Sequence, residues 1–247
     1  MASKELFEPI TENGWRMGFS TLMRKELKAW FGTSTWWQQA LLWSLVLGLF
    51  GSAGISDPEA GIIIFYFMAT IFPGIATIII TSEVILEEKR SGSAAWVLSK
   101  PVSREAFLLP KFIGLGIAFS FSMVLAPGAV AYLIFALFGV APDLYLFLAS
   151  LIPLALWQMF LAFVTLCMGT FFDNTGPVMA VPFPFLFVGI NLGQHPLIGQ
   201  YGPWGLFQVA ISLVTNGSFP FTPVAVTVVV LIMLVAIAIW RFRKHEF

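Results

Sequence analysis

Residues 83–111 read EVILEEKRSGSAAWVLSKPVSREAFLLPK and carry five of the thirteen Lys and Arg residues of the chain. Five more lie between residues 4 and 28, and the last three lie between residues 241 and 244. The sequence between these three stretches is apolar and almost free of charge. Because loops rich in Lys and Arg stay in the cytoplasm, we expect all three stretches on the cytoplasmic face of one membrane. The pattern predicts a multi-pass protein of the plasma membrane with both termini in the cytoplasm.

The composition favours the same class of protein. Of the 247 residues, 58% are hydrophobic and 11% are charged, and the mean hydropathy is +0.89. Soluble proteins carry about 25% charged residues. Lipid solvates the apolar surface that such a chain would otherwise expose to water, so we expect membrane lipid as a partner and no nucleic-acid ligand. The single cysteine, Cys167, rules out a disulfide or a cysteine-based metal site within the chain.

The lengths of the apolar runs predict six membrane spans. A spanning helix needs about 20 apolar residues, and a segment that joins two cytoplasmic stretches must cross an even number of times. This gives room for two spans before residue 89 and four spans after residue 111. The predicted fold is an all-α polytopic domain over residues 36–247, preceded by a cytoplasmic segment over residues 1–35. The predicted spans cover residues 36–55, 62–82, 112–140, 144–172, 177–192 and 222–240.

Two parts of the predicted domain are irregular. Pro182 and Pro184 fall inside the fifth span and should kink or break it, because each removes a backbone donor. The segment from residue 193 to residue 221 is apolar and has no Asp, Glu, Lys or Arg. We expect it to form short re-entrant or interfacial helices between spans 5 and 6.

The segment before the first span has the periodicity of an amphipathic helix over residues 15–31. Such a helix should lie in the inner membrane interface. Glu26 falls on its apolar face, where a carboxylate is costly unless it reaches water or finds a partner. Two interpretations follow: Glu26 extends to the water, or it contacts a basic group of the next cytoplasmic loop.

Residues 83–111 predict a rigid helical hairpin below the bilayer, between spans 2 and 3. A helix that carries Glu87 and Glu88 should stop near Gly92, where a left-handed cap is cheap. Pro101 should end the apolar turn that follows, and Ser103 can cap the helix that leads into span 3.

The chain has no visible energy source of its own. The predicted spans contain no ionisable residue near the midplane, which disfavours a carrier driven by protons or sodium. A phosphate-binding P-loop motif is also absent from the sequence. If the protein performs driven work, a different polypeptide must supply the ATPase.

The 83–111 stretch resembles the cytoplasmic signature of ABC-2-type transporter permeases. The resemblance rests on residues 88–93 (EKRSGS), on residues 98–104 (LSKPVSR) and on Lys111, with Ser93 in place of the usual Thr. Residues 24–27 (RKEL) are similar to the N-terminal helix of that family. With six spans and both ends inside, the similarity covers essentially the whole chain.

The resemblance implies the permease subunit of an ATP-driven exporter. Two permeases, either two copies or a copy and a homologue, would pair above separate cytoplasmic ATPase subunits that bind ATP and Mg. The hairpin would be the coupling helix that contacts the ATPase, with the N-terminal helix beside it. No catalytic residue, cofactor or metal is expected in this chain. The implied coupling residues are Glu87, Glu88, Lys89, Arg90, Gly92, Arg24, Lys25 and Glu26.

A few polar and aromatic side chains within the predicted spans are candidates for a substrate path. Each has a structural alternative, because polar groups in spans usually form interhelical hydrogen bonds and aromatic groups usually pack. An uncharged interior favours an apolar or amphipathic cargo. The candidates are Gln158, Asn191, Phe65, Tyr66, Phe67, Phe183, Phe185 and Phe187.

Two other functions are compatible with the sequence. A structural membrane subunit would anchor a complex and transport nothing. An intramembrane serine protease would need Ser52 and His195 to meet at hydrogen-bond distance in a hydrated cavity. The protease is disfavoured, because His195 is predicted on an outer loop.

Overall fold

The structure is a computed structural model and describes residues 14–52 and 57–244. Regular elements in that part of the chain are all helical, which confirms the predicted all-α class. A π-helical segment, Ser120–Leu125, joins α5 to α6. The described α-helices are α1 (Phe19–Phe31), α2 (Thr35–Ser52), α3 (Pro58–Arg90), α4 (Ser93–Leu98), α5 (Arg104–Phe119), α6 (Ala126–Leu137), α7 (Leu144–Phe171), α8 (Thr175–Ala180), α9 (Pro182–Leu192), α10 (Pro196–Tyr201), α11 (Leu206–Asn216) and α12 (Phe221–Arg243).

Four helical stretches are long and apolar enough to cross a membrane. They are Glu59–Arg90, Arg104–Leu137, Leu144–Phe171 and Phe221–Arg243. They coincide with predicted spans 2, 3, 4 and 6. The count of six spans stays a prediction, since α2 and the α8–α9 pair, which occupy spans 1 and 5, are not among them.

The sequence explains why α2 and the α8–α9 pair are not long or apolar enough to be counted as spans. Helix α2 begins with two tryptophans and two glutamines, Trp36 to Gln39, so that its hydropathy is low for its 18 residues. The second is interrupted between Ala180 and Pro182, where the helix breaks into α8 and α9. Its apolar part, Thr175–Gly189, is shorter than a spanning helix.

Helix α7 lies at the centre of the bundle and is buried along most of its length. Toward one end it packs through Phe163, whose ring centroid lies 4.8 Å from that of Phe112 in α5. Toward the other end Phe147 contacts Phe65 in α3, with 6.0 Å between the ring centroids. These contacts make α7 the common neighbour of both buried clusters.

A proline inside α3 explains the polar contacts between α3 and α7. Pro73 has no N–H, so the carbonyl of Ala69 lacks its helical partner. Gln158 Nε2 donates to that carbonyl at 3.0 Å, and Trp157 Nε1 donates to the carbonyl of Thr70 at 3.3 Å. Gln158 of α7 therefore satisfies the carbonyl that the proline leaves free, as apolar surroundings require, and Trp157 adds a second bond at the next carbonyl.

The segment between α9 and α12 forms the short helices α10 and α11. Helix α11 buries Leu206, Val209 and Leu213, and it packs against α7. Trp204, just before it, donates from Nε1 to the carbonyl of Phe185 at 3.2 Å. The apolar character of this segment is thus used for packing against the bundle.

Charged side chains of several helices meet at one end of the bundle. Lys89 Nζ in α3 lies 3.0 Å from Asp173 Oδ1 after α7, and Arg104 of α5 donates to the carbonyl of Phe242 in α12 at 3.1 Å. We call this the charged end. Because α3 has 33 residues and rises about 1.5 Å per residue, its N-cap Asp57 lies far away, at the opposite end.

Candidate functional site

The turn between α3 and α5 is built by local sequence chemistry, and we call residues 87–104 the elbow. Helix α3 ends at Arg90, and Gly92 follows with φ of 71°, a left-handed conformation that glycine adopts without strain. Helix α4 then begins at Ser93. Ser103 caps α5, its Oγ accepting from the N–H of Ala106 at 3.0 Å. The expected stop near Gly92 and cap at Ser103 are both present.

Four charged side chains form a compact group behind the elbow, and we call it the ion network. Lys111 Nζ lies 2.9 Å from Glu26 Oε1 and 2.9 Å from Glu88 Oε2. Lys25 Nζ donates to Glu88 Oε1 at 2.9 Å. The network joins α1, α3 and α5 and contains two cations and two carboxylates.

Burial makes this charge balance necessary. The Lys111 side chain is 2% exposed, and Glu26 and Glu88 are 16% exposed. A buried ammonium without partners would be very costly, so two carboxylates compensate its loss of hydration. Burial on its own would lower the pKa of Lys25, but the hydrogen bond and charge of Glu88 outweigh it and raise that pKa.

Helix α1 is fixed to α5 by further contacts. Ser103 donates from Oγ to the carbonyl of Trp15 at 2.7 Å, and from its N–H to the carbonyl of Met17 at 3.1 Å. Gly114 permits close approach, because a Cβ there would lie 3.1 Å from Glu26 Cβ. The structure therefore shows Glu26 in contact with a basic group, the second of the two interpretations.

The remaining basic residues of the elbow contact two other parts of the charged end. Lys89 donates to the carbonyl of Phe172 at 3.3 Å in addition to pairing with Asp173. Arg90 donates to Thr175 Oγ1 at 3.2 Å. On the other side, Arg243 of α12 pairs with Glu105, beside Arg104.

The exposed surface of the elbow combines an aromatic group with positive charge. Trp96 of α4 is 63% exposed, and Lys100 Nζ lies 3.5 Å from its ring centroid. A cleft of about 430 Å³ opens between α1 and α4, with Leu22, Lys25 and Val97 in its lining. Glu87 and Arg24 are also exposed here.

Sequence reasoning placed Arg104 and Lys111 in the family signature but gave them no role in the site, and it did not single out Asp173. The available signal was strongest for Lys111, a lone Lys inside the apolar run from residue 106 to residue 119. Such a residue usually has a partner of opposite charge. The identity of the partners, Glu26 and Glu88, depends on helix packing.

The candidate substrate-path residues fall into two groups. Phe65, Tyr66 and Gln158 are buried; the Tyr66 hydroxyl bonds with Ser150, and Gln158 Oε1 accepts from Thr77 at 3.0 Å. The candidates in α9 are more exposed. Phe183 and Phe187 stack with 6.1 Å between their ring centroids, and Phe187 and Asn191 are exposed. Phe185 of α9 packs edge-on to Trp204, and Phe67 of α3 packs edge-on to Phe207.

Ser52 and His195, the residues that a serine protease would require, have different surroundings in the described part of the chain. The Ser52 hydroxyl donates to the carbonyl of Leu49 in its own helix at 2.8 Å. His195 borders a cavity of about 330 Å³ whose described lining includes Gln200, Gln208 and Thr222 but not Ser52. Within the described ranges, no group of three or more His, Cys, Asp or Glu side chains could hold a metal ion.

The long apolar helices and the single charged end define a multi-pass, membrane-embedded protein. The family model described as ABC-2 family transporter protein matches residues 21–247. The chain belongs to this family and is a membrane permease of an ABC transporter. Members are in general non-enzymatic transmembrane subunits that associate with ABC ATPase subunits. No curated protein matches the chain.

Proposed function

We propose that the chain is the permease subunit of an ATP-driven exporter and that the elbow receives motion from separate cytoplasmic ATPase subunits. The ion network is the observation that carries this proposal. It links the elbow to α1 and α5 through a fully buried Lys111. A displacement of the elbow should therefore move α1 and α5 with it. ATP and Mg would be bound by the partner, and the pathway would form between two permeases.

Helix continuity supports transmission into the membrane. The elbow begins as the last turn of α3, which runs without interruption for 33 residues. It ends at the first turn of α5, which belongs to the spanning stretch Arg104–Leu137. Contacts at Asp173 and Phe242 extend the same link to α7 and α12.

Six crossings with both termini in the cytoplasm agree with these contacts. Helix α1 is bonded to the C-terminal end of α3, whereas α2 must lead to the N-terminal end of α3, across the bundle. By the same argument, the chain leaves α7 near Asp173 and must return before α12, which ends beside Arg104. Helix α2 and the α8–α9 pair are the elements available for these two crossings.

The exposed elbow surface supplies a landing site with matched test residues. Trp96 and Trp240 are both exposed, at 63% and 55%, and each carries a Lys over its ring, Lys100 and Lys244. Only Trp96 lies on the elbow. We expect Trp96→Ala to reduce co-purification of the ATPase at least tenfold and Trp240→Ala to leave it unchanged.

Reconstitution in vesicles tests the function itself. The permease and its co-purifying ATPase should move an amphipathic cargo only when ATP is hydrolysed. A complex that hydrolyses ATP and moves nothing would favour the structural-subunit alternative. Equal ATPase binding by both tryptophan variants would show that the elbow is not the landing site.

A further inference from the structure

The spanning stretch between Arg104 and Leu137 is divided by a wide turn. Residues 120–125 form a π-helix, after which the N–H of Ala126 donates to the carbonyl of Phe121, five residues earlier. Pro127 follows and cannot donate a backbone hydrogen bond. Short π-helical turns inside α-helices are rare and frequently occur at functional sites.

Both halves of this stretch pack against α7, but they differ in their other helical neighbours. Below the π segment, α5 is held to α1 through the Lys111–Glu26 ion pair and the close approach at Gly114. Above it, α6 packs on α2, where a Cβ on Gly48 would lie 2.9 Å from Ile134 Cδ1. The π segment is therefore the boundary between an α1–α5 unit and an α2–α6 unit.

The end of α1 reaches this boundary through one buried polar contact. Trp30 Nε1 donates to Ser122 Oγ, inside the π segment, at 3.1 Å. The Trp30 ring also packs edge-on against Phe119, with 5.4 Å between centroids. Because both polar groups are buried, separating them would leave an unpaired donor and an unpaired acceptor.

We propose that the π segment is a hinge between α5 and α6 and that Trp30 is the residue that positions it. In this mechanism α1 and α5 tilt together relative to α6, and the Trp30–Ser122 bond holds the resting angle. That the ATPase drives this tilt through the elbow rests on the proposed function. The hinge itself is a property of the permease alone.

The decisive change is the removal of one residue from the π segment. Because a π turn contains an extra residue, deletion of Leu125 should give a continuous α-helix and leave both flanking helices facing their present neighbours. Leu125 is 46% exposed, so little buried packing is lost. Leu125→Ala is the matched control, since it removes the side chain and retains the π turn.

Pulsed EPR distances between labels on the two halves report the hinge. Labels at Ile113→Cys and Leu133→Cys, both exposed sites, would be introduced into a Cys167→Ala background, with unlabelled protein added to suppress distances between molecules. The labels would lie about 30 Å apart along the helix. In nanodiscs we expect broad distributions for the unmodified π segment and for Leu125→Ala, and a distribution at most half as wide for the deletion.

Variants of the positioning residue add a readout that packing alone would not change. Trp30→Phe keeps an aromatic ring but loses the donor, and should broaden the distribution. Ser122→Ala should do the same, whereas Ser122→Thr, which keeps a hydroxyl, should restore the wild-type distribution. The Trp30→Phe and Ser122→Ala changes combined should have no more effect than either alone.

The outcomes separate the hinge from the proposed function. Equal distance distributions for the deletion and for Leu125→Ala would overturn the hinge, whatever the transport result. A hinge confirmed by EPR in a permease that neither binds an ATPase nor transports would overturn only the proposed function. If both hold, the deletion should lower cargo moved per ATP at least fivefold, with ATPase binding unchanged.

Discussion

At the scale of a single residue, Lys111 combines a high desolvation cost with a structural role at the charged end. Its ammonium is removed from water and lies between Glu26 and Glu88, so its charge is compensated only while α1, α3 and α5 keep their positions. A hydrophobic residue there would avoid the desolvation cost but would not link three helices. Lys111 thus lowers the stability relative to a hydrophobic residue but fixes the relative positions of α1, α3 and α5.

Replacing Lys111 with Met should destabilise the protein by at most about 3–5 kcal/mol, because it leaves Glu26, which is 16% exposed, without its cation. Thermal unfolding in detergent would measure the loss. Lys28→Met, which removes an exposed charge from the same α1, is the control and should have little effect. Wild-type stability in Lys111→Met would contradict the burial of a charged ammonium.

Gln158 should contribute more to stability when Pro73 is present than when it is replaced, because only its bond to the Ala69 carbonyl depends on Pro73. Gln158→Leu removes the donor to the Ala69 carbonyl and should cost about 1–2 kcal/mol, near the upper end for hydrogen bonds in membranes. In a Pro73→Ala background the backbone N–H of residue 73 can bond that carbonyl, so the cost of Gln158→Leu should fall. A double-mutant cycle by thermal unfolding measures the difference, and additive effects would exclude the link.

At the scale of elements, Gly92 separates α3 from α4 by its conformation alone. A Cβ on Gly92 would meet no atom within 4 Å, yet its φ of 71° disfavours any other residue. Gly176 also has open space around it but lies inside α8 without a positive φ. Substitution of Gly92 therefore tests backbone strain, and substitution of Gly176 is a control in which neither strain nor a steric clash is expected.

We expect Gly92→Ala to cost roughly 1–2 kcal/mol, the strain of a left-handed non-glycine residue. Hydrogen exchange should accelerate about tenfold for the amides of residues 87–98. In Gly176→Ala exchange should stay the same or slow down, because Ala favours helix. Similar behaviour of the two variants would mean that the elbow tolerates a right-handed residue at position 92.

The elements that could be predicted were those specified by local chemistry. Gly92 and Ser103 mark the ends of helices through backbone conformation and capping, which depend on nearby residues only. The π segment was not predicted, because Pro127 alone does not specify a π turn and the contact with Trp30 joins residues that are 92 positions apart. The partner of Glu26 was open for the same reason, since Lys111 is 85 residues away in sequence.

At the scale of the whole molecule, segregation of charge supports the proposed orientation. The described basic residues of α1, the elbow and α12 share the charged end, while Asp57 and Asp143 cap helices at the opposite end. A segment that lay across the membrane from the others would lose all of its own contacts at the charged end. Orientation and ion pairing therefore support each other.

Labelling of single cysteines should reveal this orientation. In a Cys167→Ala background, Ser218→Cys should react with a membrane-impermeant maleimide in intact cells, and Ser91→Cys should react only after permeabilisation. Both positions are exposed. The Cys167→Ala parent, which should remain unlabelled, is the control. Reaction of Ser91→Cys in intact cells would contradict the proposed topology.

The bond from Arg104 to the carbonyl of Phe242 has a consequence for biosynthesis. The guanidinium emerges from the ribosome well over a hundred residues before its acceptor does, so this bond between α5 and α12 forms only after α12 has been synthesised. Until then, the first turn of α5 lacks its contact with α12. The order of synthesis therefore determines when the first turn of α5 and the last turn of α12 come into contact.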